Sequence, residues 1–160
     1  MTIRKPRELV RGLEPGARLL GLDLGTRTIG LALSDVGRIL ATPYETVRRT
    51  KLAADLSRLA EIITKQGVGA LVLGLPINMD GSEGPRCQAT RQFAADLLKR
   101  IDIPLAFWDE RLSTRAAEAA LLDADASRRR RAEVIDKVAA AVILQGFLDF
   151  IARNPPEDEG

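Results

Sequence analysis

A chain of 160 residues, 46% apolar and 29% charged with a net charge of +2, describes one soluble globular domain with room for a core of its own. It contains no histidine, which excludes a Ser-His-Asp triad, a Cys-His pair and any histidine-ligated metal; the lone Cys87 excludes an intrachain disulfide and a cysteine-built zinc site. Acid–base or metal chemistry therefore falls to Asp, Glu, Lys, Tyr or solvent. The apolar run Val138 to Leu144 is far too short to span a bilayer. No apolar stretch follows Arg4, Lys5 and Arg7, so no signal peptide is expected and cytoplasmic residence is. The mild positive charge permits a nucleic-acid partner without demanding one.

In chain order, residues 1–16 are basic and contain Pro6, Gly12, Pro15 and Gly16, and are expected to form a flexible extension. The domain is expected over 17–152. It opens with two strands joined by a glycine-bearing turn, running from Leu19 to Ser34. Alternation places Asp23 on the face of Gly21, and Gly30, Ala32 and Ser34 opposite the larger Ile29, Leu31 and Leu33. A third strand is expected from Arg38 to about Val47, with Pro43 marking a bulge or a sheet edge. Lys51 to Gln66 has helical spacing at Leu52, Leu56, Leu59 and Ile63, and Gly67 suits its end. The run Ala70 to Leu73 fits a buried parallel strand. An irregular loop from Gly74 to Pro85 leads into a helix reaching about Ile101, then a strand from Ile103 to Trp108. Ser113 can cap a helix from Thr114 to about Ala124. The arginine-rich stretch Asp125 to Arg131 reads as a linker, and a long helix is expected from about Ala132 to Ala152. Residues 153–160 form an acidic tail, expected to be disordered. The order predicts an α/β fold: a five-stranded mixed sheet, three antiparallel strands then two parallel ones, with helices on both faces.

Three carboxylates stand out. Asp23 ends the first strand, beside very small neighbours, and an ionised carboxylate there requires compensation. Asp136 lies within about 40° of Ala140, Ile143 and Phe147 on a helical projection, so it faces the protein. After the fifth strand, Asp109 and Glu110 compete for a third position. A converging cluster of carboxylates needs shared protons or divalent cations, and oxygen donors alone favour Mg²⁺ or Mn²⁺. Two such ions can activate a water for phosphodiester hydrolysis. Phosphate contacts are expected from Thr26 and Arg27 in the first turn, from Asn78 and Arg86 along the long loop, and from Arg111. The run Arg128, Arg129 and Arg130 and the neighbouring Lys137 complete the set.

The stretch Asp23 to Asp35, the loop Gly74 to Arg86, the run Asp109-Glu110-Arg111-Leu112-Ser113-Thr114 and the run Asp136 to Leu144 together resemble the four motifs of the YqgF/RuvX family. Its members are described as nucleases for the precursor of 16S rRNA and are related to Holliday junction resolvases. The resemblance covers roughly residues 18 to 150. It implies an RNase H-like fold and divalent-metal-dependent phosphodiester hydrolysis, and it puts Asp23, Glu110 and Asp136 in the family's catalytic, metal-binding positions, choosing Glu110 over Asp109. It also implies precursor rRNA or branched DNA as partner; no isolated apolar surface stripe announces a dimer, so a monomer or weak homodimer is expected. The family often has adjacent basic residues in the first turn, where this chain has Arg27 followed by Thr28. Two other readings compete. Asp23 to Thr26 followed by Gly30 also resembles the phosphate loop of the actin and sugar-kinase type, but those proteins close two domains around a nucleotide. A non-catalytic ribosome-assembly factor is the other.

Overall fold

The computed structural model describes residues 3–112 and 128–155, with side chains of 128–134 left aside. The strands are β1 (Arg18–Leu24), β2 (Thr28–Ser34), β3 (Ala41–Arg48), β4 (Val68–Leu75) and β5 (Leu105–Asp109). The helices are α1 (Leu52–Gln66), α2 (Pro85–Arg100) and α3 (Arg128–Arg153). The sheet order is β3-β2-β1-β4-β5, antiparallel from β3 to β1 and parallel from β1 to β5. This is the expected mixed sheet.

Alternation divides the core. Leu20, Leu22 and Leu24 of β1 and Ile29, Leu31 and Leu33 of β2 face α1 and α2, where Leu59, Ile62, Phe93 and Leu97 cover them. The other face carries Leu19, Ala32, Ala70 and Val72 beneath Ala140, Ile143, Leu144 and Phe147 of α3. Leucine and isoleucine thus fill one side, while glycine and alanine are frequent on the other. On the small side the helix backbone comes very close. A Cβ on Gly21 would sit 2.8 Å from Leu144 Cβ, and one on Gly30 would sit 1.9 Å from the Asp136 carbonyl oxygen. β4 is buried on both faces, as its unbroken apolar run predicts.

Several boundaries differ from the sequence expectation. β3 starts at Ala41, because residues 35–40 form a turn in which the Asp35 carboxylate accepts from the N–H groups of Ile39 and Leu40. It is an edge strand, and Leu31 pairs with Glu45 while Ala32 pairs with Pro43, so Tyr44 is the bulged residue. β5 starts at Leu105 rather than Ile103. α1 ends where expected, at Gly67 in the left-handed conformation (φ 65°). The arginines at 128–131 belong to α3 and not to a linker; arginine is a strong helix former, so the helix extends through them. The helix expected over 114–124 and the tail beyond 155 lie outside the described residues.

The N-terminal segment corrects a further expectation. Ile3 makes a parallel bridge with Leu105, and the Arg4 N–H donates to the Leu105 carbonyl at 2.8 Å. After a short 3-10 turn at Pro6–Glu8, Leu9 is wholly buried against the α3 core, with Val10 and Leu13 beside it. Arg7 donates to the Pro155 carbonyl at 3.1 Å, and Arg38 donates to the Ala17 carbonyl at 2.8 Å. Residues 3–17 are therefore a strap across the base of the domain. The apolar group Leu9, Val10 and Leu13 supplies the physical reason, which a reading centred on the basic residues overlooks. No described helix is long and apolar enough to cross a membrane.

Leu9→Ala tests the strap. Emptying a fully buried leucine site costs about 2–5 kcal/mol, so the variant should lose stability on that scale in urea denaturation. A flexible extension would leave the midpoint unchanged.

Candidate active site

Asp23 is the penultimate residue of β1, half-buried on the α3 face. Its register partner in β2 is Gly30. On its other side β1 pairs with β4 up to Leu22 and Leu73, so the register continued by one residue puts Asp23 beside Gly74. The aspartate thus stands between two glycines. Both vacancies are used. The α3 backbone occupies the space above Gly30, at Asp136. Above Gly74, a Cβ would meet Glu110 Oε1 at 2.8 Å and Ile143 Cδ1 at 2.6 Å.

Glu110 opens a 3-10 turn, Glu110–Leu112, directly after β5. That turn swings its side chain back over Gly74, towards Asp23. The two carboxylates line one cleft of about 990 Å³. Asn78 and Arg86 also line it, with Arg111 and the α2 N-terminus at Gly84 and Pro85. Exposed Arg86 lies in the first turn of α2, where backbone N–H groups point outwards and favour anions.

The third carboxylate, Asp136, does not line that cleft. Its Oδ2 accepts from the Thr28 hydroxyl at 2.7 Å. Among the described residues no group of three or more His, Cys, Asp or Glu side chains stands close enough together to hold a metal ion. The structure therefore joins Asp23 and Glu110 in one cleft and ties Asp136 to Thr28, and among the described residues the expected three-carboxylate cluster is not assembled. The donor chemistry still suits a hard cation, since every candidate ligand is a carboxylate oxygen. A hydroxyl on one oxygen of Asp136 leaves its other lone pairs available and fixes its orientation.

The remaining expected residues separate by their partners. Arg111 is held by Asp109: its Nε lies 3.1 and 3.0 Å from Oδ1 and Oδ2, and a terminal nitrogen lies 2.7 Å from Oδ2. Its other terminal nitrogen reaches the Asn78 carbonyl at 3.4 Å. Arg111 thus ties the loop to the end of β5, and Asp109, the competitor of Glu110, serves as its counter-ion. This pairing holds the Asp109 carboxyl below the ordinary aspartate range and raises the Arg111 guanidinium. The Asn78 side chain donates to Ser82 Oγ at 3.1 Å, while Asp80 accepts from the Ser82 N–H and hydroxyl, which lowers the Asp80 carboxyl. The far end of the loop is anchored by Glu83 paired with Arg91 at 2.7 and 2.8 Å. Arg91 also lies 4.9 Å from the centre of the Phe107 ring.

Thr26 and Arg27 are exposed in the β1–β2 turn, and Lys137 is half-buried on α3. Arg128, Arg129 and Arg130 form the first turn of α3, and their side chains lie outside the description. Thr28 is the residue that sequence reasoning undervalued. It departs from the family's basic pattern and belongs to the turn expected to meet phosphate, and alternation from Gly30 puts it on the Asp23 face. Arg49 was missed as well. It donates to the Gly25 carbonyl at 2.7 Å and fixes the first turn from below.

With this geometry in place, comparison with known proteins is informative. The profile of the RuvX family, described as Holliday junction resolvase, matches residues 17–150. A relative in Paramagnetospirillum magneticum is 62% identical over 149 residues, spanning 93% of this chain and 96% of the relative. One in Rhizobium meliloti is 53% identical over 152 residues, spanning 95% and 92%. Both carry the name "Putative pre-16S rRNA nuclease". Among solved structures, Thermus thermophilus RuvC in complex with a Holliday junction aligns with a TM-score of 0.55 at 14% identity, over 86% of this chain and 96% of that one. The yeast mitochondrial Holliday junction resolvase aligns with a TM-score of 0.52 at 14% identity, over 92% and 85%. These two show a shared fold.

Two measurements check the site's construction. Gly30→Ala forces a methyl group into the Asp136 carbonyl. Overpacking costs about 1–3 kcal/mol where side chains can yield; helix backbone yields less, so the loss in urea denaturation should reach at least the top of that range. The Asp109 carboxyl should titrate below an ordinary aspartate by NMR and move back up in Arg111→Gln. A depressed carboxyl adds stability above its unfolded pKa and loses it as pH falls, so Arg111→Gln should flatten the acid limb of the stability profile.

Proposed function

Because this chain belongs to the RuvX family, we propose that it is a divalent-metal-dependent nuclease that cuts phosphodiester bonds in structured nucleic acid, with the 5′ end of precursor 16S rRNA as its substrate. The observation that carries this reading is the placement of Asp23 and Glu110 in one cleft, bordered by Arg86 and the N-terminus of α2. The chemistry supplied by bound Mg²⁺ or Mn²⁺ is activation of a water and neutralisation of charge on the phosphate. Asp23 and Glu110, together with Asp136 oriented by Thr28, are the residues that would hold the ion. Arg86 and the first N–H groups of α2 receive the substrate phosphate. Arg111 keeps the loop in place through Asp109 and the Asn78 carbonyl.

A second reading, resolution of branched DNA, is favoured by the family description. The two are separated by substrate. Purified protein with Mg²⁺ or Mn²⁺ should cut an RNA carrying the precursor 16S 5′ end faster than a four-way DNA junction; the reverse ranking supports the second reading. Asp23→Asn and Glu110→Gln should each slow cleavage by more than about 100-fold, the scale expected for losing a group that stabilises transition-state charge, with folding intact by circular dichroism. Wild type and Asp23→Asn that bind RNA equally and leave it uncut with either metal would overturn the nuclease reading in favour of a non-catalytic assembly factor.

A further inference from the structure

Most arginines with described side chains are already committed. Arg58 pairs with Glu45, Arg91 with Glu83 and Arg111 with Asp109, while Arg38, Arg49 and Arg100 donate to backbone carbonyls. Beside the carboxylates, three exposed arginines have no ion pair or side-chain hydrogen bond among the described residues: Arg86, Arg27 and Arg48. The first two were expected to meet phosphate from their motifs. Arg48 has no motif to recommend it, and its position does.

Arg48 is the last residue of the edge strand β3. Its neighbour Val47 is buried in the core beneath α1 and α2, so alternation turns Arg48 to the α3 face. There its register partner is Thr28, the residue whose hydroxyl holds Asp136. Side chains directly opposite on antiparallel strands have Cβ atoms about 5 Å apart. Arg48 therefore stands next to the Thr28–Asp136 pair, across the carboxylates from Arg86.

The following residue fixes this arrangement. The Arg49 N–H donates to the Arg27 carbonyl at 2.8 Å, and its guanidinium donates to the Gly25 carbonyl at 2.7 Å. That guanidinium also lies 5.7 Å from the centre of the Phe93 ring. The end of β3 and the β1–β2 turn are thereby one frame carrying both Arg48 and Arg27.

We propose that Arg48 contacts a backbone phosphate of the substrate, forming with Arg27 a second basic border opposite Arg86, so that the polynucleotide lies across the carboxylates and is held on both sides of them. The identity of the ligand rests on the nuclease reading; the test does not require cleavage. Binding of a fluorescently labelled RNA hairpin with single-stranded flanks is followed by anisotropy in EDTA over a range of KCl concentrations. Losing one phosphate contact weakens binding about tenfold at 0.1 M salt and lowers the slope of log K against log salt by about 1, and Arg48→Ala should do both. Arg48→Lys should restore the slope, and Lys65→Ala, at the far end of α1, should match wild type. Wild-type affinity and slope in Arg48→Ala, with Arg27→Ala weakened, would overturn the proposal. Wild type that binds but never cuts sinks the nuclease reading alone, because the Arg48 slope still decides this one. Wild type that binds neither this RNA nor a four-way junction overturns both.

Discussion

The close approach of α3 to the sheet is the constraint on which the site depends. Backbone can contact backbone only where nothing projects between them, and Gly21 and Gly30 leave that space. The helix settles until the Asp136 carbonyl lies over Gly30 and Leu144 lies over Gly21. That depth brings the Asp136 carboxylate within reach of Thr28, two residues before Gly30 on the same face. The same logic operates one strand further on, where Gly74 leaves room for Glu110 and Ile143. The glycines flanking Asp23 form a floor on which an acidic residue from a helix and another from a turn are set down beside the strand.

This floor also explains the asymmetry of the core. Leucine and isoleucine dominate the face towards α1 and α2, and their side chains fill the space between sheet and helices. On the α3 face β1 and β2 present Gly21, Gly30 and Ala32, and much of the bulk comes from the helix: Ile143, Leu144, Phe147 and Leu148. The strap of residues 3–17 closes the base of that layer through Leu9, Val10 and Leu13.

Much of this was legible in the sequence, because period-2 alternation over Leu19 to Ser34 states both which face is small and which face carries Asp23. The strand order followed from the hairpins and crossovers. The position of Asp136 on the buried stripe of its helix was legible for the same kind of reason. What escaped depended on partners distant in sequence. Thr28 and Asp136 are 108 residues apart, and nothing local in either one announces the hydrogen bond. The motif resemblance chose Glu110 over Asp109, and the structure gives the physical reason: Asp109 is occupied by Arg111 two residues on. The strap was hidden because its three apolar residues are diluted by arginine, proline and glycine. The arginine run at 128–131 resembles a solvated connection by its charge, although its helix propensity is high.

The arginines complete the electrostatic picture. A carboxylate row beside a sheet repels the phosphates it must meet, so attraction has to come from around it rather than within it. The structure spends several guanidiniums on fixing loops: Arg111 on Asp109, Arg91 on Glu83 and Phe107, Arg49 on Gly25. Each of these immobilises backbone next to an arginine left exposed. Arg49 fixes the frame of Arg27 and Arg48, and the Glu83–Arg91 pair anchors the start of the helix bearing Arg86. Committed arginines therefore set the positions of uncommitted ones at two borders of the site. A flexible polyanion crossing from one border to the other must pass over Asp23.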